Sequence, residues 1–316
     1  MDLEQKKQKN AERIKRLPQG FGIEWTSLRS FQLGGYAFSL PTSFGHFDIN
    51  VKAEENYSDN VFFLGKTPNV LQRYLTHIRD TRPRKIVELG VFRGGSVAFL
   101  QLIAKPERLL ALELAEQRQE FLDRFIATEG LHDSVRVEYG VDQADGATVH
   151  RLTQEFLGEG RCIDCVIDDA SHLLTPTRSS FETLFPLLRP GGTYVVEDFA
   201  AAHILISSTF EGVLLGKGPD RPLFNKLLDH SLQSDNQPLH IMAVEALLAS
   251  IVAPGVVRRV VADRQWLRIE RGEEDIDATR PFSLRALAAD RFGLTTSVPD
   301  PELQNYLQAR TESPGS

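Results

Sequence analysis

Residues able to do chemistry gather at three places in this chain. Ile86-Val87-Glu88-Leu89-Gly90-Val91-Phe92-Arg93-Gly94-Gly95-Ser96 reads as a buried strand that breaks into a glycine-rich turn and then opens a helix. Cys165-Val166-Ile167 runs into Asp168-Asp169-Ala170-Ser171-His172, and Tyr194-Val195-Val196 runs into Glu197-Asp198. In open α/β sheets, ligands collect outside the carboxyl ends of the strands. Strands that finish in Gly, Asp, His and Glu therefore describe a cofactor pocket beside a metal and proton-transfer site. Glycines permit the tight turn and let a ligand approach the backbone. The spacing here, Glu88-x-Gly90-x-x-x-Gly94-Gly95, is not the G-x-G-x-x-G of dinucleotide enzymes. An acid before the first glycine repels a pyrophosphate but accepts a cationic or amine-bearing ligand.

Two further strand ends extend the pattern. Glu113 stands where a carboxylate can accept hydrogen bonds from ribose hydroxyls. Asp142 and Gln143, after the next strand, stand where an adenine edge can be hydrogen-bonded. Each acid alone is an ordinary loop carboxylate. Taken in order at successive strand ends, they favour a nucleoside cofactor.

The elements that must hold these residues alternate in type from Lys85 onward. Strands are expected at residues 85–89, 109–114, 135–139, 163–168 and 192–196, and helices at 96–104, 115–128, 144–157 and 177–187. Such alternation predicts βαβ units and a parallel sheet. Val70, Leu71, Tyr74, Leu75 and Ile78 recur at helical spacing ahead of the first strand. Pro190-Gly191-Gly192 is a turn signal before the fifth strand. Residues 256–261 and 265–270 flank Ala262-Asp263-Arg264 as an antiparallel hairpin. Residues 21–63 mix aromatics with Gly, Pro and Asn, and are expected to form a flap rather than one regular element. The domain expectation is therefore 1–69 as an N-terminal helix and flap, 70–272 as the cofactor domain with a helical lid at 200–254, and 273–316 as a C-terminal extension.

Composition narrows the class. With 316 residues, of which 41% are hydrophobic and 25% charged, the chain can bury a large core as a globular protein. A net charge of -7 argues against a nucleic-acid partner, because such a surface repels phosphates. No apolar run is long enough to cross a bilayer, and Met1 to Leu17 lacks the apolar core of a secretory signal, so a cytoplasmic location without membrane contact is expected. The basic residues of that stretch suit a solvent face or a contact with another subunit, and a homo-oligomer is expected. Cys162 and Cys165 form a C-x-x-C, but residues three apart on a strand point to opposite faces. They read as small buried residues rather than a zinc or redox pair.

On these motifs the chain resembles the class I S-adenosylmethionine-dependent methyltransferases. The likeness runs from about residue 70 to 272, including the closing antiparallel hairpin. Asp168-Asp169-Ala170-Ser171-His172, Ser180-Phe181-Glu182-Thr183-Leu184-Phe185-Pro186, Arg189-Pro190-Gly191-Gly192 and Glu197-Asp198 are similar to the metal-dependent O-methyltransferases that tailor natural products, the macrolide-sugar type above all. Rhamnosyl O-methyltransferases and cephalosporin hydroxylases share much of the pattern. The resemblance implies a Rossmann-like, doubly wound, mostly parallel seven-stranded sheet with a C-terminal antiparallel hairpin, plus lid segments at the N-terminus and after the fifth strand. It also implies that Glu88, Gly90, Gly94 and Ser96 meet the methionyl part of the cofactor, with Asp168 close by. Glu113 then holds the ribose, and Asp142 and Gln143 lie near adenine.

Methyl transfer from a sulfonium to an alcohol needs a deprotonated or deprotonating oxygen. A divalent cation can lower the pKa of a coordinated hydroxyl while a nearby base takes the proton. Asp169, Glu197 and Asp198 supply three hard oxygen ligands suited to Mg²⁺. Left unpaired, those acids would repel one another, and a bound cation is the simple remedy. His172, three residues beyond Asp169, titrates near neutrality and suits a general base. His203 and His240 read as structural. The expected activity is therefore O-methylation of a hydroxyl on a sugar, glycoside or related secondary metabolite, with a small-molecule acceptor as partner. Two other enzymatic readings share the motifs: an oxygenase relative of the cephalosporin hydroxylase type, and a metal-independent N- or C-methyltransferase. A non-catalytic scaffold would have no use for the acidic cluster.

Overall fold

Apolar runs bounded by turns make the central strands, and their order places every acid singled out above along one edge. The computed structural model describes residues 8, 11–41, 61–199, 239–263, 265–276 and 281–288. The main sheet has seven strands: β5 (Lys85–Leu89), β6 (Arg108–Glu113), β7 (Val135–Tyr139), β8 (Ile163–Asp168), β9 (Leu188–Glu197), β10 (Val257–Ala262) and β11 (Trp266–Arg271), in the order β10-β11-β9-β8-β5-β6-β7. β5 pairs in parallel with both β6 and β8, so the chain reverses its winding direction there. That switch point puts the Gly90 turn beside Asp169. β11 slots antiparallel between β9 and β10, which is the closing hairpin expected from the sequence.

Helices α2 (Gly95–Ala104), α3 (Glu120–Thr128), α4 (Gly146–Leu157) and α5 (Leu174–Leu184) connect the parallel strands, as right-handed crossovers require. β9 differs from the expected short strand. It takes in Pro190-Gly191-Gly192, with Gly191 at φ +76° and a shift of register against β8 between Ile163 and Cys165. The turn signal marks an irregularity inside a strand rather than the start of one.

The N-terminal stretch is the larger departure. Residues 11–15 are helical, in line with the helix expected there, and the described part of 21–63 is a second sheet: β1 (Glu24–Ser27), β2 (Ser30–Leu33) and β3 (Tyr36–Ser39) form an antiparallel meander, and β4 (Val61–Phe63) adds in parallel to β3. Alternation explains it. Phe31, Leu33, Phe38 and Phe62 fall on one face and are fully or nearly fully buried. They join α1 (Pro68–Thr81), α2 and α3 in a single apolar core on one side of the main sheet. The other side is covered by α4, α5 and α6 (His240–Val252). The stretch expected as a flap is thus in good part a packed layer, because its aromatics bury against α2. Likewise α6, expected within a lid, buries Ile241, Met242, Ala246 and Ala249 on the core. Residues 42–60 and 200–238 of the two expected lids lie outside the described residues. No helix among those described is long and apolar enough to cross a membrane.

Candidate active site

Backbone sterics build the cofactor side of the site. Gly90 sits at φ +89°, and a side chain there would overlap the carbonyl of Asp169, so the β5 turn and the β8 turn touch through bare backbone. Gly95, which opens α2, lies so close to the carbonyl of Phe63 that a methyl group would not fit. The end of β4 is thereby pinned onto the glycine turn. Glu88, on β5, is fully buried, and no donor reaches either carboxylate oxygen with hydrogen-bond geometry. Burial pushes its pKa up to about 8, against the pull of the Ser96 hydroxyl and the Lys66 charge. A buried acid with only the nearby Ser96 hydroxyl is costly to ionise and calls for a cationic or donor-bearing ligand. This fits the amine of an amino-acid cofactor.

Glu113 and Gln143 are spent differently from expectation. Glu113 accepts the Val91 and Phe92 amides at 2.8 and 2.7 Å through one oxygen, and the Ala115 amide at 2.9 Å through the other. It braces the glycine turn, with acceptor capacity remaining for a ribose hydroxyl. Gln143 turns inward. Its amide donates to Ser180 at 3.1 Å and to Asp168 at 3.4 Å, and its carbonyl accepts from the Ser171 amide at 3.0 Å. Gln143, expected near adenine, is a buried side chain that clamps the β8 turn. Asp142 accepts the Ala144 amide at 2.8 Å and starts the turn into α4. Asp168, expected beside the cofactor, sits in the same buried network. Fully buried, it accepts from Tyr194 at 2.7 Å and Ser180 at 3.0 Å. Burial pushes it up to about 6 while those two bonds pull it back.

Asp169, His172 and Asp198 converge. One ligand atom from each lies within 4.8 Å of the others, a spacing that suits a shared cation. His172 Nε2 is 3.0 Å from Asp169 Oδ1. His172 and Asp198 both hold left-handed backbone, at φ +56° and +49°. His and Asp are among the side chains that accept this conformation most readily. Burial works against the imidazolium, but the bond to Asp169 and the charges of Asp169, Asp198 and Asp168 outweigh it and raise His172 to about 9.

Glu197 stands apart from that trio, and the residue responsible was missed in the sequence. Lys66, 4% exposed, places its ammonium between Asp169 Oδ2 and Glu197 Oε2, at 2.9 Å from the latter. Tyr74, on α1, donates its hydroxyl to Glu197 Oε1. Burial alone would lower Lys66, yet Asp169 and Glu197 hold it above its usual value. Burial likewise raises Glu197, with Lys66 pulling against it. The cation that the acidic cluster demands on this side is a lysine of the chain itself. The available signal was Gly65-Lys66-Thr67-Pro68: Thr67 caps α1 and Pro68 opens it, which puts Lys66 at the mouth of a helix. Of the histidines set aside, His240 heads α6 and His203 lies outside the described residues. Both cysteines are free; Cys165 is buried 3.5 Å from His77 Nε2.

Comparison with known proteins bears on this part of the chain. Residues 87–199, from β5 to just past β9, match the family model described as a methyltransferase domain. Over those residues the chain is similar to a methyltransferase domain. Over 139 residues it is 29% identical to the mycinamicin VI 2''-O-methyltransferase of Micromonospora griseorubida, a match covering 41% of this chain and 31% of that protein. It is 55% identical over 139 residues to the demethylmacrocin O-methyltransferase of Streptomyces fradiae, with the same two shares. The chain spans about a third of the length of these curated relatives. Among solved structures, MycE methyltransferase from the mycinamycin biosynthetic pathway, in complex with Mg, SAH and mycinamycin VI, aligns at 22% identity and a TM-score of 0.43, covering 65% of this chain and 51% of that one.

Proposed function

We propose that this protein transfers the methyl group of S-adenosylmethionine to a hydroxyl of a sugar-bearing natural product. The observation that carries the reading is the buried carboxylate of Glu88, without a donor, beside a glycine turn that faces a second turn carrying Asp169 and His172. The named relatives are O-methyltransferases of mycinamicin VI and of demethylmacrocin, which supports a hydroxyl acceptor on a natural product. Glu88, with Gly90, Gly94 and Ser96, would receive the methionyl end of the cofactor. Glu113 would accept a ribose hydroxyl, and Asp142 would lie at the adenine end.

On the acceptor side, Asp169 orients His172, and His172 would take the hydroxyl proton as the methyl–sulfur bond breaks and the new carbon–oxygen bond forms. The surrounding acids make it a strong base, and the positive sulfonium of the incoming cofactor favours its neutral form. Asp169 and Asp198 are the carboxylates that converge with His172 as a divalent ion such as Mg²⁺ would need, with Glu197 joining only if Lys66 lets it go. When bound, such an ion would lower the pKa of the acceptor hydroxyl.

The test is direct. Calorimetry should show S-adenosylhomocysteine binding. Incubation with S-adenosylmethionine and a panel of glycosylated macrolides should yield a product heavier by one methylene, under anaerobic conditions as well as in air. Absence of cofactor binding would remove the methyltransferase reading. Strict dependence on oxygen would favour the hydroxylase alternative instead.

A further inference from the structure

Lys66 is the one strongly placed polar group near the site whose role the proposed reaction leaves open. It is held from both sides. Its own amide donates to the Leu64 carbonyl at 2.7 Å, and the Leu64 amide donates to Ser39 of β3 at 2.9 Å. Upstream, the Phe63 carbonyl rests on Gly95. Downstream, Thr67 caps α1. The Tyr74 ring lies 5.6 Å below the ammonium. Between them, Lys66, Tyr74 and His172 engage all four oxygens of Asp169 and Glu197.

We propose that Lys66 is a resident cation that competes with a divalent metal for Asp169 and Glu197. The inference rests on the reading of Asp169 and Asp198 as the face open to metal. The argument is electrostatic. Two carboxylates that share one ammonium, Glu197 buried and Asp169 part-buried, need a positive charge, and an ammonium and a divalent ion cannot share the same oxygens without repelling each other. A metal that uses Asp169 and Glu197 must displace Lys66. Because the N-terminal sheet positions that lysine, docking of the sheet would set how tightly the metal binds.

Two measurements test the competition, and neither uses turnover. Mn²⁺ binding is followed by calorimetry or electron paramagnetic resonance in the wild-type protein and in Lys66→Met. The variant should bind at least tenfold more tightly. Unchanged or weaker binding in a folded variant would overturn the proposal, as would the absence of Mn²⁺ binding in both proteins at millimolar metal. Should Lys66→Met fail to fold, the wild-type protein decides the question. Acetylation of Lys66 by acetic anhydride, read by mass spectrometry, should rise several-fold on addition of Mg²⁺, and an unchanged rate would overturn the idea. Both readouts are independent of S-adenosylhomocysteine binding, so failure of the methyltransferase reading is seen separately.

Discussion

At the scale of single residues, the site is defined by charges whose partners are unequal. His172 has an acid on its ring nitrogen and left-handed backbone beneath it. Asparagine tolerates that backbone better than most residues, so His172→Asn isolates the loss of the imidazole. Turnover should fall about 10²–10⁴-fold with cofactor affinity largely kept. In the wild-type protein the base is active when deprotonated, so kcat/KM should rise with pH toward about 9 and that limb should vanish in the variant. A pH–rate profile with its limb unchanged would return His172 to a structural role. Glu88 gives a second test with the opposite sign. Its folded pKa, about 8, lies above the ordinary 4.5, so the folded state binds the proton more tightly. Its contribution is present below 4.5 and is lost as pH rises toward 8, on the order of 1 kcal/mol per pH unit. Glu88→Gln should therefore stabilise the ligand-free protein at pH 8. The same change should weaken S-adenosylhomocysteine about 10- to 100-fold, the scale of lost hydrogen bonds to a charged group. Denaturant titrations at pH 5 and 8, with calorimetry, check both halves.

At the scale of elements, the site is a junction of turns rather than the product of one motif. The β5 and β8 turns meet at Gly90, and β4 meets the start of α2 at Gly95. A methyl group at Gly95 would force the Phe63 carbonyl away, costing about 1–3 kcal/mol as overpacked sites do. Because Lys66 follows Phe63 by three residues, Gly95→Ala should also loosen Lys66 from Asp169. The expected outcome is a lower Tm together with faster acetylation of Lys66 in the metal-free protein. A lower Tm with Lys66 still protected would show that α1, through Thr67 and Tyr74, holds the lysine without help from β4.

At the scale of the whole molecule, two cores sandwich the main sheet, and one of them is shared with the N-terminal sheet. Phe38 stacks against Phe31 and Phe62 at 5.0 and 5.4 Å and meets Phe99 of α2 edge-on at 6.1 Å. Removing it should cost about 3–5 kcal/mol. Since the aromatic cluster crosses from one sheet to α2, Phe38→Ala should lower a single cooperative transition for both layers. A calorimetric trace in which the N-terminal layer melts alone, leaving the seven-stranded sheet folded, would show instead that the first sheet is an appendage.

The sequence by itself determined the alternation of strands and helices, the closing hairpin, and the strand ends where Glu88, Asp169, His172 and Asp198 stand. Those features are local: apolar period, glycine turns and caps act within a few residues of themselves. Only the tertiary structure decided which of the aligned acids stay open to a ligand. Gln143 and Asp168 looked like site residues because they follow strands, yet they face Ser180 and Tyr194, whose approach depends on how α5 packs against β9. Glu197, expected as a metal ligand, also meets Tyr74 and Lys66, which α1 and β4 bring across more than 120 residues of chain. Hydrophobic patterning specifies that α1 and the aromatic strands must be buried, but not against what. The charge that arrives with them is settled only when the layers close.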